Sequence, residues 1–379
     1  MNKKQNQKHQ KGITLVALVL TIIILLILAG ISIQALTNTG IFGRAQEAKK
    51  ATENAQKDEY QILQDYMKEI DGINAISVAA AQANEMLTKT TNTFVKDAYG
   101  NVLTVPAGFR IKVDATTNNA ATVDKGIVII DSAENEFVWI PVGKIYTDVA
   151  KTEANAKTIE LNRYTFDENG NPTKQNDKII GDYFQELATS TYGNTTAKDI
   201  EKFKKSVETN RGYYIGRYEA RTGTARSTKN DVLTTLTTKA SDFVYNWVTQ
   251  IQAAELARNM YDNTKPFASD LINSYAWDTA TLFLQTCGDN PTYSRKNRVR
   301  SSYASTGTNN QETKDVQCNV YDMASNIFEW TTETCSFSNG PCTFRGGIYD
   351  KSNYYTISHG YDSPFGSVSF LSFRPILYV

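Results

Sequence analysis

Residues 319–333 read NVYDMASNIFEWTTE, and within this stretch two carboxylates, Asp322 and Glu329, are separated mainly by small and apolar residues. Calcium prefers carboxylate and carbonyl oxygens, so these two side chains could hold one calcium ion together with backbone oxygens between them. In the alternative, Asp322 caps a turn and Glu329 pairs with Arg345 or Arg374 in the protein core. The residues alone leave both possibilities open.

Four other short motifs accompany this stretch along the chain. They are FVWIPVG at 137–143, GYYIGRYEA at 212–220, FRGGIYD at 344–350 and LSFRPILYV at 371–379. Together the five motifs resemble the formylglycine-generating-enzyme-like, or sulfatase-modifying-factor, domain, which is a variant of the C-type lectin fold. This chain has Ser325-Asn326 where that family has Gly-Asn, and Ser372-Phe373-Arg374 where it has Gly-Phe-Arg.

The resemblance implies a particular set of calcium ligands. By position, the family's site would use the side chains of Asp322 and Glu329 and the backbone carbonyl groups of Ser325 and Ile327. Calcium is therefore the one cofactor that the resemblance suggests for this chain.

The same family includes an oxidase that acts on a substrate cysteine through a copper-binding pair of thiolates. Those thiolates lie between the Arg-Gly-Gly and Gly-Phe-Arg motifs, and soft thiolates are the ligands that Cu(I) requires. The corresponding interval here, 348–371, contains no cysteine. We therefore expect no copper and no enzymatic activity.

Four cysteines occur elsewhere, at Cys287, Cys318, Cys335 and Cys342. Cys335 and Cys342 are candidates for a disulfide, which would close a short ring and stabilise the fold by about 2.5 kcal/mol through loop entropy. They could equally be free, because spacing does not determine connectivity.

The segment between the last two motifs has an unusual composition. Residues 348–370 read IYDKSNYYTISHGYDSPFGSVSF, a mixture of aromatic and small polar residues that is typical of antibody paratopes. We predict that Tyr354, Tyr355, His359 and Tyr361 bind an extracellular protein or glycan. A Tyr-rich core and loop is the alternative on composition alone.

The overall charge and the histidine content exclude several classes of function. Lys+Arg and Asp+Glu are equal at 40 each, so no global field attracts nucleic acid. The chain has two histidines, His9 in the leader and His359 near the end, and this distribution argues against a histidine-based metal cluster or catalytic triad.

The N-terminus combines basic and apolar sequence. Lysines occur up to Lys11, and an uncharged run follows from Ile13 to Leu36. As a helix of about 36 Å this run is long enough to span a bilayer, and the lysines place the N-terminus in the cytoplasm. These features predict a single-pass membrane protein whose remaining chain is extracellular.

The junction Lys11-Gly12-Ile13-Thr14-Leu15 resembles the cleavage and methylation site of type IV pilins and pseudopilins. The resemblance implies that a prepilin peptidase cuts after Gly12 and that Ile13 becomes the first residue of a retained helix. It also implies other pilin-like subunits as partners. Ala17 stands where that family usually has Glu, which leaves assembly into a fibre open.

Taken together, the sequence predicts an α+β protein with a long N-terminal membrane and stalk helix followed by a mixed, C-type-lectin-like domain. The predicted segments are a leader at 1–12, a transmembrane part at 13–36, a helical stalk and linker at 37–89, a β-strand region at 90–134 and the lectin-fold head at 135–379.

Within the head, apolar residues at helical spacing predict three helices. The three stripes are Ile200, Phe203 and Val207, ended by Arg211-Gly212; Trp247, Ile251, Ala254, Ala257 and Tyr261; and Ile272, Ala276, Ala280, Phe283 and Cys287, ended by Gly288. The stretch DENGNPTK at 167–174 predicts a hairpin turn, and Phe137–Val142 predicts a buried strand.

These features favour a pilin-like, membrane-anchored surface protein that presents a ligand-binding adhesin head. The first alternative is a structural pseudopilin of a secretion, pilus or DNA-uptake machine. The second is an oxidase of the formylglycine-generating type.

Overall fold

A computed structural model describes residues 47, 49–52, 74–117, 121–187, 189, 195–261, 264–297 and 315–379. The chain divides into two units, Met1–Met67 and Lys68–Val379, and the fold below is that of the second unit. The predicted leader, the processing residues Gly12 and Ile13 and the run 13–36 lie outside the described residues, so processing stays a prediction.

The second unit consists mainly of short strands. In chain order they are β1 (Ile76–Ser77), β2 (Thr93–Lys96), β3 (Val102–Val105), β4 (Phe109–Lys112), β5 (Val128–Asp131), β6 (Glu136–Pro141), β7 (Gly143–Tyr146), β8 (Ala156–Ile159), β9 (Tyr164–Phe166), β10 (Pro172–Lys174), β11 (Phe184–Gln185), β12 (Gly212–Gly216), β13 (Arg221–Thr222), β14 (Phe243–Val244), β15 (Ala268–Leu271), β16 (Val316–Gln317), β17 (Val320–Tyr321), β18 (Phe328–Cys335), β19 (Cys342–Arg345), β20 (His359–Asp362), β21 (Leu371–Phe373) and β22 (Pro375–Tyr378).

Three α-helices occur in the described part of this unit, α1 (Ile200–Asn210), α2 (Gln250–Arg258) and α3 (Ser274–Cys287). Short 3-10 helices occur at Ala80–Gln82, Asn84–Thr88, Ala115–Thr117, Val123–Lys125, Glu153–Asn155 and Tyr293–Arg295.

One sheet has six strands in the order β15-β22-β12-β6-β5-β4, and every pair is antiparallel. Strands β6, β12 and β22 are buried along their whole length, because α1 packs on β12 and β22 and α3 packs on β6. Strand β4 alternates between buried and half-buried residues, as expected at a sheet edge. Trp139 and Tyr214 pack edge to face, with ring centroids 4.9 Å apart, in the core that this sheet forms.

A second sheet has five strands in the order β11-β18-β19-β20, and β21 pairs in parallel with β18. Its long strand β18 is buried throughout. Trp330, Leu371 and Phe373 form an apolar cluster with Tyr245 and Val248. Helix α3 packs against β6 and β18, and so contacts a strand of each sheet.

Helix ends follow their sequence signals. Asp199 accepts a hydrogen bond from the backbone N–H of Lys202 at the start of α1, and Arg211 ends that helix in a left-handed conformation. Thr249 and Gln252 form a reciprocal capping box at the start of α2. The three predicted helices of the head are therefore confirmed, with bounds that differ by a few residues at their ends.

The predicted fold class is wrong. The described chain is mostly β-sheet, its α-helices have 11, 9 and 14 residues, and no long apolar N-terminal helix is among them. Part of the predicted stalk, residues 76–88, forms strand β1 and 3-10 turns in the second unit instead of a continuous helix. The predicted single-pass membrane topology is likewise corrected, because no helix in the described residues is both long enough and apolar enough to cross a bilayer.

Candidate functional site

The buried carboxylate of Glu329 is paired with Arg374. The guanidinium donates from Nε to Oε2 over 2.9 Å and from Nη2 to Oε1 over 2.5 Å. Arg374 also donates to the backbone oxygens of Gly216 and Tyr321, so it links β12, β17 and β18. Of the two arginine partners that the sequence left open for Glu329, the structure selects Arg374.

This pairing bears on the predicted calcium ligands. Asp322 and Ser325 are both buried, and the N–H of Ile327 donates to Glu219 over 3.3 Å. Within the described ranges, no group of three His, Cys, Asp or Glu side chains is arranged to hold a metal ion. Because both oxygens of Glu329 already bond to a guanidinium, the residues do not fit calcium in this arrangement. Calcium binding, which the family resemblance implies, stays a prediction.

Glu219 is a further carboxylate beside Asn326 and Ile327, and sequence reasoning did not single it out. Its Oε2 accepts a hydrogen bond from the amide of Asn326 over 2.7 Å, and it is fully buried. Burial, followed by the nearby charge of Asp322, raises the pKa of Glu219 to about 8. The site is a buried polar network that joins the motifs of the two sheets.

The candidate disulfide is not formed, since Cys335 and Cys342 are both free. The strand register gives the reason. Cys342 lies opposite Thr334, whereas the N–H of Cys335 donates to the carbonyl of Pro341. Neighbouring strand residues point to opposite faces, so the two thiols lie on different sides of the sheet. Burial also raises the pKa of the Cys342 thiol to about 12.

Two of the predicted ligand-binding tyrosines are half-buried. Tyr354 packs on Phe328 with ring centroids 4.8 Å apart and lies against the core of the second sheet. Tyr355 lies under the guanidinium of Arg295, 4.7 Å from the ring centroid. Both side chains therefore contribute to packing as well as to the surface.

His359, the third predicted residue, contacts a buried ionic network. Its ring stacks on Phe184 with centroids 4.6 Å apart, and its Nε2 lies 3.3 Å from Glu333 Oε2. Glu333 also pairs with Arg163 and Arg345. Burial raises the pKa of Glu333, but the charges of His359 and the two arginines outweigh it and hold the pKa well below its usual value.

Tyr361, the fourth predicted residue, is 49 % exposed and belongs to a continuous aromatic stack. Its ring lies parallel to Phe337 at 4.7 Å, and Phe337 lies parallel to Tyr183 at 4.6 Å. Tyr183 and Phe337 are 43 % and 37 % exposed. We call Tyr183, Phe337 and Tyr361 the aromatic stack.

A cleft of about 300 Å³ lies beside the aromatic stack. Its lining is formed by Phe337, Ser338, Asn339, Gly340, Tyr361 and Asp362. Gly340 packs so closely that an added Cβ would lie 2.6 Å from a ring carbon of Tyr361. The turn between β18 and β19 and strand β20 therefore fit together along one wall of the cleft.

Sequence reasoning identified Tyr361 but missed Tyr183 and Phe337. These two residues lie far from the Tyr-rich segment in sequence, and strand pairing brings all three together. β11 pairs with β18, and the N–H of Ser336 donates to Tyr183 O over 2.9 Å. The available signal was the single aromatic residue in the polar turn Ser336-Phe337-Ser338-Asn339-Gly340.

Comparison with known proteins adds little. No family model and no curated protein matches the chain. Among solved structures, "Treponema denticola variable protein 1" is 11 % identical, with a TM-score of 0.32 over 65 % of this chain and 96 % of that chain. "Crystal Structure of CarF" is 16 % identical, with a TM-score of 0.22 over 31 % of this chain and 49 % of that chain. Scores of this size do not establish a shared fold, so the two family resemblances of the sequence remain predictions.

Proposed function

We propose that this protein is a non-catalytic ligand-binding protein that recognises a protein or glycan partner through the aromatic stack and the surface around it. The observation that carries this proposal is the exposure of one stack of three rings, in which Phe337 lies between Tyr183 and Tyr361. Isolated exposed apolar residues are ordinary, but a contiguous exposed aromatic group is typical of binding sites.

The stack is also suited to binding because its rings are held in place before a ligand arrives. Each ring comes from a different segment, and the strand pairing of β11, β18 and β20 fixes their separation. Rigid aromatic side chains lose little entropy on binding, and tyrosine is enriched among residues that dominate interface energies.

The surroundings of the stack supply polar groups for specificity. Asn339, Asp362 and Ser338 line the cleft, and His359 lies two residues from Tyr361 on the same face of β20. We expect Tyr355 and His359 to contribute at the rim of the binding surface, because both are half-buried.

The absence of catalysis is part of the proposal. The interval 348–371 contains no cysteine, and the thiols of Cys335 and Cys342 face opposite sides of their sheet. Burial raises the pKa of both thiols, which disfavours the reactive thiolate form. These features support the expectation that no formylglycine-type oxidation occurs.

The test compares the full chain with Phe337→Ala and Tyr361→Ala variants on a glycan array and against a displayed peptide library. We expect the wild-type chain to select a ligand class and both variants to lose it. Phe365→Ala is the matched control, since Phe365 is 71 % exposed and is not part of the stack. Binding that is indifferent to both stack variants, or an absence of any ligand, would contradict the proposal.

A further inference from the structure

We infer that the cleft beside the aromatic stack binds a neutral hexose ring at the end of a glycan. This inference rests on the proposed function and names the ligand class that the cleft selects. At about 300 Å³ the cleft is at the small end of the usual range for ligand pockets, which suits one sugar ring or one side chain rather than a large cofactor.

The lining is mixed in a way that matches a sugar. Phe337 provides an apolar ring edge, and Tyr361 provides an apolar ring face on which the C–H face of a pyranose can pack. Asn339 offers two donors and an acceptor, Ser338 can donate and accept, and Asp362 accepts. Sugar hydroxyl groups both donate and accept, so neighbouring hydroxyls of one sugar can form hydrogen bonds with the side chains of Ser338, Asn339 and Asp362.

The charges exclude acidic ligands. Asp362 is the charged residue of the lining, and neither Lys nor Arg is among the lining residues that the structure describes. A phosphate, sulfate or sialic acid carboxylate would face the Asp362 carboxylate without a compensating cation. The cleft is therefore selective for a neutral ring over an anionic one.

The ring geometry determines which ring surfaces a ligand can reach. The rings of the stack are nearly parallel, with interplanar angles of 23° and 29°, so Phe337 is covered on both faces by Tyr183 and Tyr361. Packing of a sugar C–H face, like recognition of a cation, requires an open ring face. The stack therefore presents ring edges and its outer faces, and the outer face of Tyr361, which is 49 % exposed, is the surface on which we place the hexose ring.

The polar groups are held rigidly. Asp362 lies on β20 opposite Cys342, and its Oδ1 accepts the N–H of Ser363 over 2.7 Å. The turn that carries Asn339 is closed by a hydrogen bond from Gly340 N–H to Phe337 O over 3.1 Å. Because the Asp362 carboxylate and the backbone of the turn are held by these contacts, the ordering entropy that opposes binding of a hexose is reduced.

The test uses the full chain with an array that contains neutral, sialylated and sulfated glycans. Titration calorimetry with methyl glucoside, methyl galactoside and methyl mannoside follows. We expect binding of at least one neutral hexose, unchanged by EDTA because the cleft supplies one carboxylate. Asn339→Ala and Asp362→Asn should each weaken it at least tenfold, whereas Asp350→Asn, an exposed carboxylate outside the lining, should leave it unchanged.

The outcomes separate this inference from the proposed function. Peptide binding that depends on Tyr361 with no hexose binding would overturn the sugar assignment and leave the binding surface standing. Preference for anionic glycans, or hexose binding that is insensitive to Asn339→Ala and Asp362→Asn, would also overturn it. Failure of every ligand to depend on the stack would remove both proposals.

Discussion

His359 Nε2 and Glu333 Oε2 lie 3.3 Å apart, and this contact connects the candidate binding surface with a buried ionic network. Glu333 is fully buried and also pairs with Arg163 and Arg345, while Arg345 pairs in turn with Asp278. The segment that carries Tyr361 is therefore anchored by charges in the interior, two residues from the exposed ring.

We predict that Glu333→Gln destabilises the fold by about 3 to 5 kcal/mol at pH 7, because it removes the carboxylate that pairs with the buried Arg163 and one of the two that pair with Arg345. Urea unfolding monitored by tryptophan fluorescence would measure this loss. Glu153→Gln, at a side chain that is 84 % exposed, is the control and should leave the midpoint almost unchanged.

We also predict that the Glu333 carboxylate makes the stability of the fold sensitive to acid. Its pKa in the folded protein lies below its ordinary value, so the stabilisation is present at neutral pH. Stabilisation is lost as the pH falls below about 4.5 toward the folded-state pKa. We expect the unfolding free energy of the wild-type chain to fall in this range, and Glu333→Gln to flatten the fall. An equally steep fall in the variant would assign the acid sensitivity to other groups.

For Glu186 we predict the opposite dependence of fold stability on pH. Burial, offset in part by hydrogen bonds from Thr332 and Ser274, raises its pKa to about 7. A raised carboxyl pKa means that the folded state binds the proton more tightly, so stability decreases as the pH rises from about 4.5 to 7. We expect Glu186→Gln to raise the unfolding free energy by about 1 to 3 kcal/mol at pH 8. The amide oxygen can accept both hydrogen bonds from Ser274, and the amide nitrogen can donate to the hydroxyl of Thr332, without a charge. Little difference should remain at pH 4.5, and a loss of stability at pH 8 would contradict this prediction.

The melting temperature of the protein can distinguish calcium binding at Glu329 from the ion pair of Glu329 with Arg374. Because both carboxylate oxygens bond to Arg374, we expect the same melting temperature in EDTA and in excess calcium. A ligand that binds only the folded state at a hundredfold excess over Kd would add about 2.7 kcal/mol. A rise in calcium that Asp322→Ala abolishes would instead establish the calcium site implied by the family resemblance.

Tyr354 and Tyr361 should respond differently to truncation. Tyr354 packs edge to face on Phe328 against the core, so Tyr354→Ala should cost about 2 kcal/mol or more of stability. Tyr361 is 49 % exposed, so Tyr361→Ala should cost less than about 1.5 kcal/mol, in the range of one ring pair. Thermal unfolding of the two variants beside Phe365→Ala would test the difference, and equal losses for both would place Tyr361 in the core.

Local sequence determined the elements that depend on nearby residues. The apolar spacing and the capping residues Asp199, Thr249 and Asn273 fixed the three helices of the head. The turn at Asp167 joins β9 and β10 because its side chain accepts hydrogen bonds from the N–H groups of Asn169 and Asn171. Each of these features closes its contacts within a few residues, so a sequence pattern can specify it.

Tertiary structure decided everything that depends on strand register. Which arginine meets Glu329, whether Cys335 reaches Cys342, and which rings join Tyr361 follow from how β11, β18, β19 and β20 are paired. A shift of one residue along a strand reverses the face of every side chain, so composition and spacing could not settle these contacts. The aromatic stack exists because long-range pairing brings Tyr183, Phe337 and Tyr361 together from three separate segments of the chain.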